Sequence, residues 1–580
     1  MLLLGVLSIC FGISLGFTVS KDSPPQWSPV YSVKGLLNIP YAEIHEPFYV
    51  WYDRQHGKSR IDYYGGMVKT YQMTGAAYPQ YGTNIKIAPV TTESQLNSVT
   101  CLQMNGTSDM AVSDVQSALP DMTDFTFIGT DNIGDAETSI WRMTMKIGDK
   151  ENKYTMWVKY KKSLKGDAVA IPVRYEMKGY NTLLGSHYDH YYIDYAEYDV
   201  DEIDPTVFKV DSGLPCGSFP GPGLQHAASF NPMQEFVHPA AEQHVTHEFE
   251  SAASSFNPMQ EFVHPAAEHH VTHEFERFKT KHNRQYASDN EHEKRLNLFR
   301  QNLRLIHSTN RAGRSFTVAV NHLADKTDEE LAVLRGRTYG GPNRGLPFPY
   351  SDSMVEEESD KLPSEHDWRL FGAVTPVKDQ SVCGSCWSFG TVGAVEGALF
   401  LHNGGHLVRL SQQALVDCSW GFGNNGCDGG EDYRAYQWIM KHGLPTEEEY
   451  GGYLGQDGYC HIDNVTVATK MKGWVNVTTN NENALRLAIF KHGPISVAID
   501  ASHKTFSFYS NGVYYEPACK NKVEELDHAV LAVGYGILKG QKYWLVKNSW
   551  SNMWGNDGYV LMSSKENNCG VESAPTYVVM

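Results

Sequence analysis

Three short segments, set in order late in the chain, constrain it most. The first is Gln380-Ser381-Val382-Cys383-Gly384-Ser385-Cys386-Trp387, which runs into an apolar, glycine- and alanine-containing stretch from Ser388 to Leu401. That stretch is long enough for a buried helix, so Cys386 falls at a helix N-terminus. There the unpaired N–H groups and the positive end of the helix dipole favour thiolate, the nucleophilic form of cysteine. The second segment is Leu526-Asp527-His528-Ala529-Val530, and the third is Lys547-Asn548-Ser549-Trp550. A histidine beside the sulfur can take and return its proton. An asparagine amide can hold one imidazole nitrogen so that the other faces the sulfur.

A nucleophilic Cys386 has to stay out of disulfides, and the cysteine count leaves room for that. The chain has 10 cysteines, of which Cys10 lies in an N-terminal apolar run from Leu2 to Phe17. That run is too short to span a bilayer, and Ser14-Leu15-Gly16 offers small residues for cleavage, so residues 1–16 read as a secretory signal peptide. Without Cys10 an odd number remains, and in an oxidising compartment at least one thiol stays unpaired. No later apolar run is long enough for a transmembrane helix, so no membrane partner is expected. A net charge of −18 argues against a nucleic-acid partner, and 41% hydrophobic residues argue for a folded chain.

Residues 21–225 read as a β-rich domain. Runs such as Phe48-Tyr49-Val50-Trp51-Tyr52, Ser139 to Met145 and Tyr154 to Tyr160 alternate aromatic or β-branched residues with polar ones, the pattern of a half-buried antiparallel sheet. Ile147-Gly148-Asp149-Lys150 marks a turn between two of them. A Pro/Gly cluster from Leu214 to Gly223 begins a linker, assigned to residues 226–254. An internal repeat follows. Ser229–Glu250 recurs as Ser255–Glu276 with one difference, Gln243 against His269. Two near-identical copies suggest a recent duplication or a gene-model error. They also form a His-rich patch (His238, His244, His247, His264, His269, His270, His273) that could bind metal or sense pH. No metal or other cofactor is assigned to the chain. The second copy runs directly into a helical stretch and is expected to be the structurally integrated one.

That stretch, Thr272 to His307, carries a second constellation. Glu291, Arg295, Phe299, Asn302, Ile306 and Asn310 are spaced to share one helix face. The series resembles the E-R-F-N-I-N signature of inhibitory propeptides in cathepsin L-like proteases of the papain family. Asn321 and Asp325 fit the second propeptide motif, whereas Ala319 and Leu323 stand where glycine and phenylalanine are usual. The Cys386, His528 and Asn548 segments resemble the same family in order and spacing. The resemblance covers residues 270 to 580. It implies an α+β architecture: a propeptide over 255–340, an exposed linker over 341–361, and a papain-like two-lobe peptidase over 362–580. One lobe would be helical around Cys386; the other would be β-barrel-like and carry His528 and Asn548.

The resemblance implies roles residue by residue. Cys386 is the nucleophile and His528 the acid/base. Asn548 orients His528, Trp550 shields the pair, and Gln380 donates to the oxyanion hole with the Cys386 N–H. Ser381 departs from the family's usual glycine. Gly429 and Gly430 match the loop that pairs with an extended substrate. Glu431, Asp432, Ala498, Leu526, Ala529 and Ala574 map to the second specificity pocket, with an apolar deep wall. If the two acids face that pocket, Arg or Lys is tolerated at the second residue before the cut; they could equally point to solvent. Family pairing implies disulfides Cys383–Cys427, Cys418–Cys460 and Cys519–Cys569, and parity leaves Cys101–Cys216. Sequons stand at Asn105, Asn464 and Asn476.

The expected function is a cysteine endopeptidase made as an autoinhibited, acid-released precursor in the secretory pathway, destined for an endolysosomal or extracellular site. Protonated carboxylates and histidines would loosen the propeptide, with Glu291–Arg295 a pair that could take part. Its partners are protein and peptide substrates and its own propeptide. The added β-rich domain resembles that of insect haemocyte two-chain cathepsin L-like proteinases, and after processing it could remain as a second chain. One alternative is a dipeptidyl- or aminopeptidase whose N-terminal domain restricts the cleft. Another is a non-catalytic binding protein on a protease scaffold.

Overall fold

A computed structural model describes residues 23–74, 79–90, 98–106, 112, 114–134, 136–162, 168–218, 259–263 and 269–580. The signal-peptide reading, Cys10 and the whole first repeat copy lie outside the described residues. The chain divides into two compact units, residues 1–86 with 102–270 and residues 87–101 with 271–580.

The first unit is built on an antiparallel meander. Val30–Ile39 pairs with Ile44–Asp53, which pairs with Lys58–Tyr63 and so on to Val68–Met73. Its other edge takes Ser186–Asp199, followed by Ala168–Asn181, Lys150–Lys162, Ala136–Ile147 and Thr126–Ile133. The alternation has its expected cause: Tyr154, Met156 and Val158 are buried while Lys153 and Lys159 face solvent. At the Ile147–Lys150 hairpin Gly148 has a φ of +57°, a left-handed conformation that glycine adopts without strain.

The second repeat copy is not one structural piece. Met259 N donates to the Tyr63 hydroxyl (3.2 Å), and Tyr191 donates to the Phe262 carbonyl (2.9 Å). Met259, Phe262 and Val263 are buried. This corrects a propeptide beginning at 255, because residues 259–263 pack into the β-rich unit. Only the later part of the copy enters the helix His269–Lys281.

The second unit joins a helical pro-segment to a two-lobe body. Ser288 caps the helix Asp289–Arg311, its hydroxyl accepting from Glu291 N (3.2 Å). The sequence-predicted face is used throughout. Arg295 bonds Glu291 (2.6 Å), Glu330 and the Asp325 carbonyl (2.8 Å). Phe299 packs on Phe275 and Phe278. Asn302 donates to the Ala324 carbonyl and Asn310 bridges to Val318. The pro-segment then docks by Phe316–Val318 pairing with Tyr509–Tyr514, and by Asn321 donating to the Ser507 carbonyl (2.8 Å). Leu323, where the family favours phenylalanine, is buried all the same.

Residues 341–361 are largely exposed, as their composition predicts, and they also carry regular structure. Leu346–Pro347 pairs in parallel with Val475–Asn476, and a helix over Asp352–Ser359 buries Val355. Glu358 meets Lys491 at 2.6 Å. Val355 and Ser359 form the buried side of this short helix, while Met354, Glu356 and Glu357 are exposed.

In the peptidase region the helix Cys386–His402 is buried along nearly its whole length. It lies close to the strand His528–Leu538: a Cβ on Gly393 would come 2.6 Å from Leu531 Cδ2. Glycine there permits that close approach. The strand pairs with Ile495–Ile499 on one side and Gln541–Lys547 on the other.

Candidate active site

Cys386 opens the long helix, His528 opens the strand His528–Leu538, and Asn548 directly follows the strand Gln541–Lys547. The pairing of Leu531 with Lys547 carries Asn548 alongside the start of its neighbour strand. His528 Nε2 lies 2.8 Å from Asn548 Oδ1, and that oxygen also accepts from Ser549 N at 2.8 Å. An amide oxygen only accepts, so Nε2 carries the proton and Nδ1 keeps its lone pair. The Trp550 ring lies 4.9 Å from the imidazole and is almost fully buried, which excludes water from this side.

Gln380 is held from both ends. Its Oε1 accepts from Ser549 Oγ (2.6 Å), and its Nε2 donates to the Cys383 carbonyl (2.8 Å) and the Leu334 carbonyl (3.1 Å). Leu334 closes the pro-segment helix Asp328–Val333. A propeptide carbonyl therefore occupies the donor that the family assigns to the oxyanion.

The next pro-segment residues lie along the substrate loop. Gly430 N donates to the Gly336 carbonyl (2.9 Å), Thr338 N donates to the Gly430 carbonyl (3.1 Å), and the bridge between Arg337 and Gly430 is parallel. Arg337 N donates to the Asp527 carbonyl (2.9 Å). A Cβ on Gly429 would lie 2.7 Å from the Gly336 oxygen. The glycine is needed because two backbones meet there.

This cover changes the electrostatics. Burial pushes the Cys386 thiol up to about 11, against the pull of backbone N–H groups at Ala529 and Gly336. Burial likewise pushes His528 down to about 4, although Asn548 favours its charged form. The helix-terminus thiolate expected from the sequence is thus not the state of the covered precursor. Desolvation outweighs the helix end, and in the covered precursor both the thiol and the imidazole are neutral.

Glu431, Asp432, Ala498, Ala529 and Ala574 line one cavity of about 370 Å3. Leu526 does not; its side chain is buried beside Gly570, and what it offers the cleft is its carbonyl. Neither acid points to open solvent. Glu431 Oε1 meets Arg337 Nη2 at 3.0 Å and Oε2 accepts from Gly340 N at 2.8 Å. Asp432 Oδ2 accepts from Ser496 (3.0 Å) and Thr576 (2.7 Å). Sequence reasoning missed Arg337 altogether, because no periodicity marks an arginine in an extended segment.

Cys383–Cys427, Cys418–Cys460 and Cys519–Cys569 are bonded, and Cys101 and Cys216 are each in a disulfide. Among the described residues Cys386 is the free cysteine. Asp500, His503 and Cys519 come together as a metal set would, but Cys519 has no thiolate to offer. At the sequons, Asn105 and Asn464 are exposed, whereas Asn476 is half-buried and donates to the Asn343 carbonyl. A glycan at Asn476 would have to share the amide nitrogen with that pro-segment contact.

Comparison with known proteins bears on the same residues. Residues 362–579 match the papain family cysteine protease model, and residues 275–331 match the cathepsin propeptide inhibitor domain. Digestive cysteine proteinase 2 of Homarus americanus is 44% identical over 307 residues, 52% of this chain and 92% of that protein. A cathepsin L-like peptidase of Aedes aegypti is 44% identical over 315 residues, 52% of this chain and 91% of its own length. The solved digestive procathepsin L2 proteinase from Tenebrio molitor larval midgut superposes with a TM-score of 0.50 at 34% identity, covering 53% of this chain and 100% of that one.

Proposed function

The chain belongs to the papain family of cysteine proteases, and from that premise we propose that Cys386, His528, Asn548 and Gln380 carry its chemistry. It is a cathepsin L-like protease made as a precursor with its own inhibitory propeptide.

Release of residues 334–338 readmits water, and the Cys386 proton moves to His528 Nδ1. The thiolate attacks the peptide carbonyl carbon. Negative charge on the carbonyl oxygen is met by Gln380 Nε2 and the Cys386 N–H. As the C–N bond breaks, His528 returns the proton to the leaving amine. Water then attacks the thioester, giving a proton to His528, and the acid leaves as Cys386 recovers its hydrogen. Throughout, Asn548 keeps Nε2–H engaged so that Nδ1 is the working nitrogen. The observation that carries this reading is the 3.1 Å contact between Gln380 Nε2 and the Leu334 carbonyl: an inhibitory carbonyl sits where a reacting one would be polarised.

Labelling with a thiol-directed epoxide tests it. Acid-processed protein should label at Cys386, Cys386→Ala should not label, and unprocessed precursor at pH 7 should label slowly. Equal labelling of all three would overturn the assignment. The disulfides support synthesis in the secretory pathway, with an endolysosomal or extracellular destination. Among the described residues no helix is long and apolar enough to cross a membrane. The division into two compact units supports persistence of the β-rich domain as a second chain. Intact mass and N-terminal sequencing of the processed protein test that.

A further inference from the structure

Arg337 buries its charge in the cleft. Its side chain is 7% exposed and faces Glu431, itself 4% exposed. The guanidinium makes three bonds to the peptidase: Nη1 to the carbonyls of Val523 (2.8 Å) and Leu526 (2.7 Å), and Nη2 to Glu431 Oε1 (3.0 Å). A desolvated guanidinium is tolerated only where its donors find acceptors. Here all three acceptors come from the peptidase side and stay behind when the propeptide leaves.

Glu431 then loses both of its partners, since Arg337 and Gly340 belong to the pro-segment. Arg434 is the cation that stays near: it favours the charged form of Glu431, while its Nη1 is turned to the Gly423 carbonyl (2.6 Å). The remaining cavity is itself acidic, with Asp432 on its wall, Glu524 on its rim, and small side chains at Ala498, Ala529 and Ala574. Water reaches Glu431 once the pro-segment leaves, and a cationic side chain that re-enters the cleft meets a carboxylate and two carbonyls already placed for it.

We propose that the mature cleft selects arginine as the second residue before the cut, with Glu431 as the specificity-determining residue and Arg337 as the resident mimic of that substrate side chain. Arginine is favoured over lysine, because a planar fork reaches one carboxylate and two carbonyls together, whereas an ammonium is a point donor. The inference rests on the protease reading above and deepens it.

The test uses the processed full-length protein, with active sites counted by epoxide titration. Fluorogenic peptides share one residue before the cut and carry Arg, Lys, Leu or Phe ahead of it. The kcat/KM for Arg should equal or exceed that for Leu and exceed that for Lys. Glu431→Gln should lower the Arg-to-Leu ratio about tenfold or more, the worth of one charge-assisted hydrogen bond. An Arg-to-Leu ratio below about one in the unmodified enzyme, or a ratio unchanged by Glu431→Gln, would overturn the proposal. The unmodified series decides alone if the variant is not recovered. Failure of epoxide labelling, or of cleavage across the whole series, would instead overturn the protease reading.

Discussion

Replacing His322 by glutamine should blunt the acid release of the propeptide. His322 sits in the loop that Asn321 anchors to Ser507. Asp379 of the peptidase faces it, as do His282, Arg284 and Asp325 of the pro-segment, and burial pushes it from 6.5 down to about 4. The closed precursor therefore binds fewer protons here than the opened one. The seal is at full strength above pH 6.5, weakens as pH falls toward 4, and changes no further below that. The gap corresponds to about 3 kcal/mol for a fully buried ring, and about 2 kcal/mol once partial exposure is discounted. About 2 kcal/mol is roughly thirtyfold in the open population. Glu330, by contrast, is held down to about 2 by Arg295. It keeps its charge across this window, so the Arg295–Glu330 pair is a clasp and not the acid trigger. The assay is the rate of epoxide labelling of Cys386 in full-length precursor, divided by the rate for processed enzyme at the same pH, from pH 7 to 4. His528 is shifted in the same direction and adds a rise common to both proteins. The native precursor should exceed His322→Gln in its total rise by roughly thirtyfold. Rises that agree within about twofold would refute the argument.

Three further outcomes follow from the same geometry. Arg295→Met leaves Glu291 and Glu330 without their shared cation and the Asp325 carbonyl without a donor; it should weaken the pro-segment by about 2–3 kcal/mol and speed labelling of the precursor at pH 7. Ser381 has a φ of +54°, so Ser381→Gly should stabilise the protein by about 0.5–1 kcal/mol, read as a higher Tm, and a lower Tm would contradict the strain argument. Thiol titration of the denatured, unreduced protein with its leader removed should find one reactive sulfur, and none in Cys386→Ala.

Order and local register were legible from the chain alone. The helix N-terminus at Cys386, the E-R-F-N-I-N face and the Ile147–Lys150 hairpin each depend on residues close in sequence, where periodicity and turn chemistry act directly. The odd cysteine count pointed to one free thiol, and the motif order identified it as Cys386. The docking of two segments was not legible, because composition does not record it. The acidic segment near Glu356 is helical because Val355 is buried, and Met259–Val263 belongs with the sheet because Tyr63 and Tyr191 hold it there.

Charge states and specificity were decided only in three dimensions. A cysteine at a helix end reads as a thiolate until the pro-segment removes the water around it; burial then raises the thiol and lowers His528. Glu431 and Asp432 read as rim acids of unknown direction until Arg337, 94 residues away in sequence, supplies the partner. Desolvation and long-range pairing depend on which surfaces the folded chain brings together. A linear pattern records which groups are present, and the tertiary structure decides which of them lose water and face each other.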